Sequence, residues 1–400
     1  MEQKTIPYGR QNITQEDIKV VIETLQSDFL TQGPKIIEFE KAFATYVGSK
    51  FAVAVSNGTA ALHLCTLALD VKGGDKVITT PITFAASANC VRYCGGEVVF
   101  SDIDPDTYLL DIEKVRMLLE ASPKGTYKGV IPVDFAGRAV DLEAYRKLAN
   151  EYGLWIIEDA CHAPGGFFTD SNAKTQNCGN SKFADLAIFS FHPVKHIACG
   201  EGGMVTTNDE VLYKKLLALR THGITKNESD YTNSVSFANG DTSESDIYPA
   251  WYMEMQTLGF NYRLTDFQAA LGTSQLQRAD EGIIRRREIA ATYYDSLKGK
   301  DFVKGQSGVI DGHAYHLYII EVEDRLGLYN YLRQNKIFAQ VHYIPCHLMP
   351  YYKQFGWAAG DMPMAENYYK NCISLPMYPT LTVEEQRYVV ELIICYYESK

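Results

Sequence analysis

Apolar and polar residues alternate along the first two-thirds of the chain with two different periods. Segments 15–26, 35–47 and 60–70 repeat apolar residues at helical spacing, which predicts helices. Short runs rich in β-branched and aromatic residues predict strands at 51–55, 76–80, 97–100, 129–135, 154–159 and 186–191. Strands that alternate with helices are typically joined by right-handed crossovers. The pattern therefore predicts an α/β fold with a mostly parallel sheet.

A smaller module follows this alternating region. A long helical stretch at 260–297 leads into it, and its predicted strands and helices lie at 314–322, 325–334, 338–344 and 383–397. We place the boundary near residue 280, which gives a large domain at 1–280 and a small C-terminal domain at 281–400. Residues 224–250 are rich in Asn, Ser, Asp and Gly, and they predict a long exposed loop inserted in the large domain.

Composition and charge narrow the class of protein. The chain has 400 residues, of which 46% are hydrophobic and 22% charged, as is usual for a soluble globular enzyme. A net charge of -11 argues against a nucleic-acid surface. No apolar run is long enough to span a membrane, and the first residues lack the apolar core of a secretory signal. The nine cysteines are scattered without a CxxC pair, so we expect reduced thiols, no metal site and a cytoplasmic protein.

Polar residues at the predicted strand ends are the candidates for chemistry, because ligands of such sheets bind there. Lys195 lies in SFHPVKHIACGEGG, between an apolar strand and a glycine-rich turn. Burial disfavours an ammonium group and would make this amine nucleophilic. A Schiff base with pyridoxal 5′-phosphate (PLP) is the leading use of such a lysine, and a solvated loop lysine is the alternative.

Two more strand ends carry groups that this cofactor would need. Asp159 ends the strand LWIIED, where it could pair with the ring nitrogen of PLP or serve as a structural cap. His162 could hydrogen-bond near the ring or Asp159, and a packed structural histidine is the alternative. Phe84 follows another strand end and could stack on the ring, and a phenylalanine buried in the core is the alternative.

A phosphate site is predicted at the turn SNGTAALHL. Gly58 permits a tight turn of the backbone there. The amides of Thr59 and Ala60 would lie in the first turn of the following helix, where unpaired amides and the positive end of the helix dipole bind phosphate. Ser190, five residues before the lysine, could supply a hydroxyl to the same phosphate. An ordinary strand–helix turn is the alternative reading of this motif.

These stretches together resemble the DegT/StrS sugar aminotransferases, which are fold-type I PLP enzymes. The motifs that carry the resemblance are TTPITFAASAN, IIEDACHAPGG, FSFHPVKHIACGEGGMVTTND, LRTHGI and LGFNYRLTDFQAALGTSQL. The resemblance implies a large domain with a mostly parallel seven-stranded sheet and a smaller C-terminal α/β domain. It also implies PLP as cofactor, with Lys195 as the Schiff-base lysine, Asp159 as pyridinium partner and Phe84 as stacking residue. Phosphate contacts are implied for Thr59, Ala60 and Ser190.

Within the family, three stretches resemble most the C4 aminotransferases of the pseudaminic-acid pathway. They are LTQGPK, WYMEMQTLGFNYR and AQVHYIP. That resemblance implies transfer of an amino group from L-glutamate to a UDP-linked 4-keto-6-deoxy-N-acetylhexosamine, for amino-sugar and surface-glycan synthesis. GDP- or dTDP-linked sugars and reaction at C3 are the alternatives.

The resemblance also implies a homodimer with shared active sites. Asn261 would cross to the cofactor phosphate of the neighbouring subunit, and Arg263 would meet the substrate diphosphate. We expect five further residues to line the sugar pocket, with structural roles as the alternative: Tyr8, Thr31, Gln32, His342 and Tyr343. Two cysteines, Cys161 and Cys199, and the long insertion depart from the usual family pattern.

Three other functions are alternatives to the aminotransferase. A PLP sugar dehydratase that acts at C3 would carry histidine in place of Lys195. A non-catalytic regulator would have no reason to keep Lys195 and Asp159 together. A desulfurase needs a reactive cysteine on a mobile loop, for which Cys346 is the least implausible candidate.

Overall fold

The fold is built around a seven-stranded sheet, seen in a computed structural model that describes residues 5–240, 245–305 and 308–400. The strands in these ranges are β1 (Ile6–Pro7), β2 (Phe51–Val55), β3 (Lys76–Thr79), β4 (Glu97–Phe100), β5 (Tyr127–Ile131), β6 (Trp155–Asp159), β7 (Phe167–Thr169), β8 (Thr175–Asn177), β9 (Leu186–Ser190), β10 (Gly203–Thr207), β11 (Ile224–Thr225), β12 (Glu254–Met255), β13 (Val303–Gly305), β14 (Tyr318–Val322), β15 (Ile337–Phe338) and β16 (Cys372–Leu375).

The helices cover both faces of the sheet and the C-terminal module. They are α1 (Gln15–Leu25), α2 (Pro34–Val47), α3 (Gly58–Ala68), α4 (Ala86–Tyr93), α5 (Ile112–Glu120), α6 (Leu142–Tyr152), α7 (Glu210–Arg220), α8 (Val235–Ala238), α9 (Asp266–Leu276), α10 (Ala279–Leu297), α11 (Arg325–Gln334), α12 (Pro350–Lys353), α13 (Pro363–Asn371) and α14 (Val383–Glu398). Across the described ranges, none of these helices combines the length and apolar character needed to cross a bilayer.

The central sheet has the strand order β2-β10-β9-β6-β5-β3-β4, in which β10 is antiparallel to both neighbours and the other pairs are parallel. This arrangement confirms the predicted fold class, and all six predicted strands are present. The seventh strand, β10, was not predicted because its short run follows directly on the glycine-rich turn. The chain reverses direction in that turn, and β10 then runs antiparallel to both β9 and β2. The turn therefore lies next to the end of β2, where Gly203 pairs with Val55.

Alternate side chains of the central strands enter different cores. Val53 and Val55 of β2 belong to the core that contains α3, whereas Ala52 and Ala54 face the core that contains α2. Burial on both faces explains why these strands are almost continuously apolar. Helices on both faces leave the carboxyl strand ends free to form a site.

The C-terminal module has its own three-stranded antiparallel sheet, β13-β14-β16, and a separate core. Helix α10 begins beside the predicted boundary, and Ile289 and Tyr293 in its second half lie in this core. Ile6 of the N-terminal segment joins the same core, whereas Ile319 of β14 packs with the large one. The division of the chain near residue 280 stays a prediction.

The strand predicted at 338–344 is wrong beyond Phe338. Only Ile337–Phe338 pair as β15, with β1, while Gln340 makes an isolated bridge to Ser374. The backbone beyond that point is held by tertiary bonds instead, since the Tyr368 hydroxyl donates to the His342 carbonyl at 2.7 Å and the Cys346 amide donates to Pro81 at 2.8 Å. The alternating pattern there arises because Ala339, Val341 and Tyr343 pack against the cores, whereas Gln340 and Ile344 are exposed.

The described part of the predicted insertion contains regular secondary structure. Its described part contains β11, a short 3₁₀ turn and α8, while residues 241–244 lie outside the description. Buried Glu254 of β12 accepts the amides of Thr232 and Asn233 at 2.8 and 2.9 Å, and these bonds fasten the loop at its base.

Candidate active site

Lys195 lies in a loop that is fixed on both sides of the lysine. The Phe191 amide donates to Gly202 and the Cys199 amide to Phe191, at 2.8 and 2.9 Å, and both Phe191 and Ile197 are fully buried. Lys195 itself is only partly accessible, and Nζ lies 3.4 Å from Nε2 of His316. Burial lowers the pKa of Lys195 to about 8, against the opposing influence of Cys161 and Asp159. A substantial share of the amine is therefore neutral near physiological pH.

His316 was not predicted as a site residue. It lies just before β14, is 4% exposed, and its ring centroid is 4.3 Å from that of His162. Burial, and then Lys195, hold the pKa of His316 well below its usual value, so the ring is neutral and its Nε2 can accept from the lysine amine. In the sequence, its only signal is a histidine within the apolar stretch AYHLYIIEV.

Asp159 is placed at the carboxyl end of β6 and is 5% exposed. Ser87 of α4 donates to Oδ2 at 2.6 Å and the Cys161 amide donates to Oδ1 at 3.2 Å. The carboxylate is thus oriented by two donors but has no cationic partner among the described residues. Ser87 was not predicted, although it stands three residues after Phe84.

The neighbouring Glu158 points away into a different environment. Its two oxygens accept the Gly179 amide at 2.9 and 3.0 Å, and burial followed by Asp134 raises its pKa well above the usual value. Burial likewise raises the pKa of Asp134 to about 7. The carboxyl groups of Glu158 and Asp134 lie within 4.8 Å of each other, and Asp159 is the carboxylate that interacts with Lys195.

His162 hydrogen-bonds to Ala136 and Tyr343 rather than to Asp159. Its Nδ1 accepts the Ala136 amide at 3.2 Å, and its Nε2 lies 3.2 Å from the Tyr343 hydroxyl. Because Nδ1 is the acceptor, Nε2 carries the proton and donates to Tyr343. Burial, and then Lys195, hold the pKa of His162 well below its usual value.

The predicted phosphate turn lies at the end of β2, and Asn57 caps α3 there. The Asn57 side chain accepts the Ala60 amide at 2.8 Å, so that amide is already satisfied, and a phosphate could use it only if the cap moves or shares the donor. A Cβ on Gly58 would come within 3.1 Å of the Ser190 Cβ, and one on Gly203 would strike the backbone of Asn57 at 2.5 Å. These glycines allow the turn, Ser190 and the lysine loop to approach closely.

Phe84 is 64% exposed, so the alternative of a core phenylalanine is wrong. Its ring centroid lies 6.4 Å from that of Tyr343. Tyr343 connects Phe84 to the site, because the Tyr343 hydroxyl also contacts Nε2 of His162. An exposed aromatic ring next to Tyr343 suits a flat cofactor.

The C-terminal module brings the N-terminal segment to the site. His342 is 9% exposed, lies 2.9 Å from the Ser374 hydroxyl through Nδ1, and has its ring 5.1 Å from that of Tyr8. The Tyr8 carbonyl accepts the Met377 amide at 2.9 Å. One wall of the candidate site is therefore formed by Tyr8, His342 and Tyr343.

The remaining predicted residues lie on a second surface. Thr31 bridges Thr265, and Asp266 accepts the Gly33 amide at 2.8 Å, so Thr31 and Gln32 lie beside the NYR motif. Asn261 is exposed, and Arg263 bridges Val55 at the end of β2.

The two unusual cysteines pack against glycines. A Cβ on Gly58 would lie 3.5 Å from the Cys161 sulfur, and one on Gly272 would lie 2.8 Å from the Cys199 sulfur. Burial raises the pKa of both thiols, so neither is a ready nucleophile. Burial also raises the pKa of Cys346 to about 12, which argues against the desulfurase alternative.

The residues present fit PLP. They offer an amine with a lowered pKa, an oriented carboxylate, an exposed aromatic ring and a helix N-terminus whose glycines allow close approach of Ser190.

Comparison with known proteins agrees with this chemistry. The sequence profile of the DegT/DnrJ/EryC1/StrS aminotransferase family matches residues 11–394. The chain is 39% identical over 397 residues to the spore coat polysaccharide biosynthesis protein SpsC of Bacillus subtilis, covering 97% of this chain and 96% of SpsC. It is 33% identical over 408 residues, with 98% of each chain covered, to the UDP-4-amino-4,6-dideoxy-N-acetyl-beta-L-altrosamine transaminase of Campylobacter jejuni.

Two solved structures share the whole fold. Helicobacter pylori PseC, an aminotransferase involved in the biosynthesis of pseudoaminic acid, aligns with a TM-score of 0.86 at 30% identity, over 99% of this chain and 100% of PseC. The PLP form of the putative sugar aminotransferase Spr1654 from Streptococcus pneumoniae aligns with a TM-score of 0.85 at 28% identity, over 99% of each chain.

Proposed function

This chain belongs to the DegT/DnrJ/EryC1/StrS aminotransferase family, and from that premise we propose that it moves the amino group of L-glutamate to C4 of a UDP-linked 4-keto-6-deoxy-N-acetylhexosamine. It is a PLP-dependent sugar aminotransferase. The observation that carries the reaction is the Lys195 amine, whose pKa is lowered to about 8 beside the oriented Asp159 carboxylate. The Campylobacter altrosamine transaminase and Helicobacter PseC, to which this chain is similar, support the choice of sugar.

Each residue of the site has a distinct task in this reaction. Bound PLP supplies an electron sink for the negative charge that develops at the substrate carbon. Asp159 holds a proton at the ring nitrogen, and Ser87 fixes the orientation of that carboxylate. Lys195 Nζ takes the proton from the α-carbon of glutamate as a general base and acts as the acid on return. Because the amino donor and the keto-sugar use the same lysine in turn, we expect ping-pong kinetics.

A panel of sugars tests the proposed substrate. The enzyme would be incubated with L-glutamate and with UDP-, GDP- and dTDP-linked 4-keto and 3-keto sugars, and the aminated product identified by NMR. A C4-amino UDP-sugar is expected. Exclusive amination of a GDP- or dTDP-sugar, or of C3, would replace the proposed substrate, while a dehydrated product would replace the proposed reaction.

The relatives also support a role in surface-glycan synthesis. SpsC is a spore coat polysaccharide biosynthesis protein, and PseC acts in pseudoaminic-acid synthesis. We place the enzyme in the cytoplasm, which is consistent with its nine free cysteines.

Mixed dimers test the proposed homodimer with shared sites. A Lys195→Ala chain paired with an Asn261→Ala chain should contain one site with both residues intact, because Asn261 is expected to reach the partner's cofactor. With random pairing of equal amounts, activity should recover to about a quarter of the wild-type value. Steady-state rates before and after subunit exchange measure this. No recovery in verified heterodimers would show that each site uses its own Asn261.

The lowered pKa of Lys195 predicts how fast the cofactor-free protein combines with PLP. Only the neutral amine attacks an aldehyde, so the rate should rise with pH and level off above about pH 8. A lysine with an ordinary pKa would continue to gain rate to about pH 10.4. Stopped-flow absorbance would measure the rate, with Nα-acetyl-lysine as the unperturbed control. A profile that follows the control would contradict the lowered pKa.

A further inference from the structure

A cavity of about 210 Å³ borders Lys195 and is not used by the proposed chemistry. The N-terminal segment, the end of α9, the first half of α10 and the segment after β16 enclose it. Its charged lining consists of Arg10, Lys195, Arg278, Glu281, Arg285 and Arg286. Asp17 and Glu288 outside the lining offset Arg278 and Arg285, which leaves Arg10, Arg286 and Lys195 to face Glu281, so the cavity still favours anions.

Most of these arginines already have partners. Arg286 is 2% exposed and donates to the carbonyls of Tyr315 and Met377 at 3.1 and 2.9 Å. Arg278 pairs with buried Asp17 at 2.6 Å. Arg285 pairs with Glu288 at 2.9 Å. These bonds fix the three guanidinium groups, and the carboxylates of Asp17 and Glu288 offset the charges of Arg278 and Arg285.

Arg10 differs from the other three. Its guanidinium lies over the Tyr378 ring, 5.7 Å from the centroid, and within the described ranges it pairs with no carboxylate. It is therefore the arginine whose hydrogen bonds are available to a ligand, and its planar fork matches a carboxylate.

Size selects among anions. Pockets for drug-sized ligands typically measure about 300–1,000 Å³, so this cavity is too small for a nucleotide sugar and suits a small metabolite. The proposed amino donor is such a metabolite, since glutamate carries two carboxylates. The α-carboxylate of glutamate is bonded to the carbon that faces Nζ, so it must stay next to the lysine. The distal carboxylate is at the end of the side chain and can extend into this cavity, which only borders the lysine.

We propose that this cavity binds the distal carboxylate of the dicarboxylate amino donor and that Arg10 is the residue that recognises it. The proposal rests on the proposed function and concerns only its first half-reaction. The keto-sugar has no comparable carboxylate, so its half-reaction does not depend on Arg10. One lysine can thus serve two unlike substrates, because each has its own binding surface.

Arg10→Gln tests the proposal, with Arg10→Lys as the charge-retaining variant. The matched control is Arg325→Gln, which removes an arginine that lies over the Tyr369 ring at 5.0 Å outside the cavity. Single-turnover spectra of the holoenzyme follow each half-reaction separately. In Arg10→Gln, the concentration of glutamate needed for half-maximal rate should rise about 10- to 100-fold, with less change in Arg10→Lys. The keto-sugar half-reaction and the Arg325→Gln enzyme should stay within about twofold of wild type.

Two further measurements separate recognition from general damage. Glutarate, which has both carboxylates but no amine, should bind the wild-type holoenzyme in isothermal titration and lose that binding in Arg10→Gln. The preference for glutamate over glutamine should also shrink in this variant. Unchanged glutarate binding and donor preference, or an equal loss in both half-reactions, would overturn the proposal. A wild-type enzyme that aminates no keto-sugar from glutamate would instead refute the proposed function.

Discussion

Replacing Lys195 with alanine is expected to lower turnover by about 10⁴-fold or more, because the variant loses both the nucleophile and the general acid/base. The fold should survive, since the loop is held by the Phe191 and Cys199 backbone bonds and by the buried Phe191 and Ile197 side chains. Steady-state amination of the keto-sugar and far-UV circular dichroism would measure the two properties.

Lys124→Ala is the matched control for this prediction, because it removes an exposed lysine from a surface turn. Borohydride reduction followed by peptide mass analysis should give a pyridoxyl adduct at Lys195 in the control and none in Lys195→Ala. Wild-type turnover in a folded Lys195→Ala enzyme would contradict the assignment of Lys195 as the Schiff-base lysine.

Asp159→Asn is expected to reduce turnover by about 10³-fold. The amide keeps the shape of the side chain and an oxygen that can accept the Cys161 amide, now at 3.2 Å from Oδ1. It removes the negative charge that holds a proton on the ring nitrogen, and with it the ability of the ring to accept electrons. The defect should therefore appear in both half-reactions measured under single-turnover conditions.

Ser87→Ala separates charge from orientation at the same carboxylate. It removes the 2.6 Å bond to Oδ2 but leaves the charge, so a loss of about tenfold is expected. If Asp159→Asn were no worse than Ser87→Ala, the charge of Asp159 would not be what the reaction requires.

Much of the fold could be predicted because its strands are buried on both faces. Helices α1, α2 and α14 and the six strands predicted for the large domain appear within a few residues of their predicted bounds. The wrong strand at 338–344 has the alternation of a half-buried strand, because Ala339, Val341 and Tyr343 pack against the cores while Gln340 and Ile344 are exposed. Periodicity reports burial and cannot tell which polar groups complete the backbone bonds.

The site residues that were predicted from the sequence pattern itself, without the family resemblance, share a position at or just after a strand end. Lys195, Asp159, Ser190 and the turn after β2 are neighbours because parallel strands end at the same edge. His316 and Arg10 lie on segments that are far away in sequence, and they reach the lysine only when the C-terminal module and the N-terminal segment pack beside it.

The sequence by itself determined the order of strands and helices, the residue types at the strand ends and the family to which the chain belongs. These depend on local periodicity and on motifs that are continuous in the chain. Only the tertiary structure decided that Ser87 orients the Asp159 carboxylate and that Asn57 already satisfies the Ala60 amide. It also set the pKa of Lys195, because desolvation is produced by groups that folding brings together from distant parts of the chain.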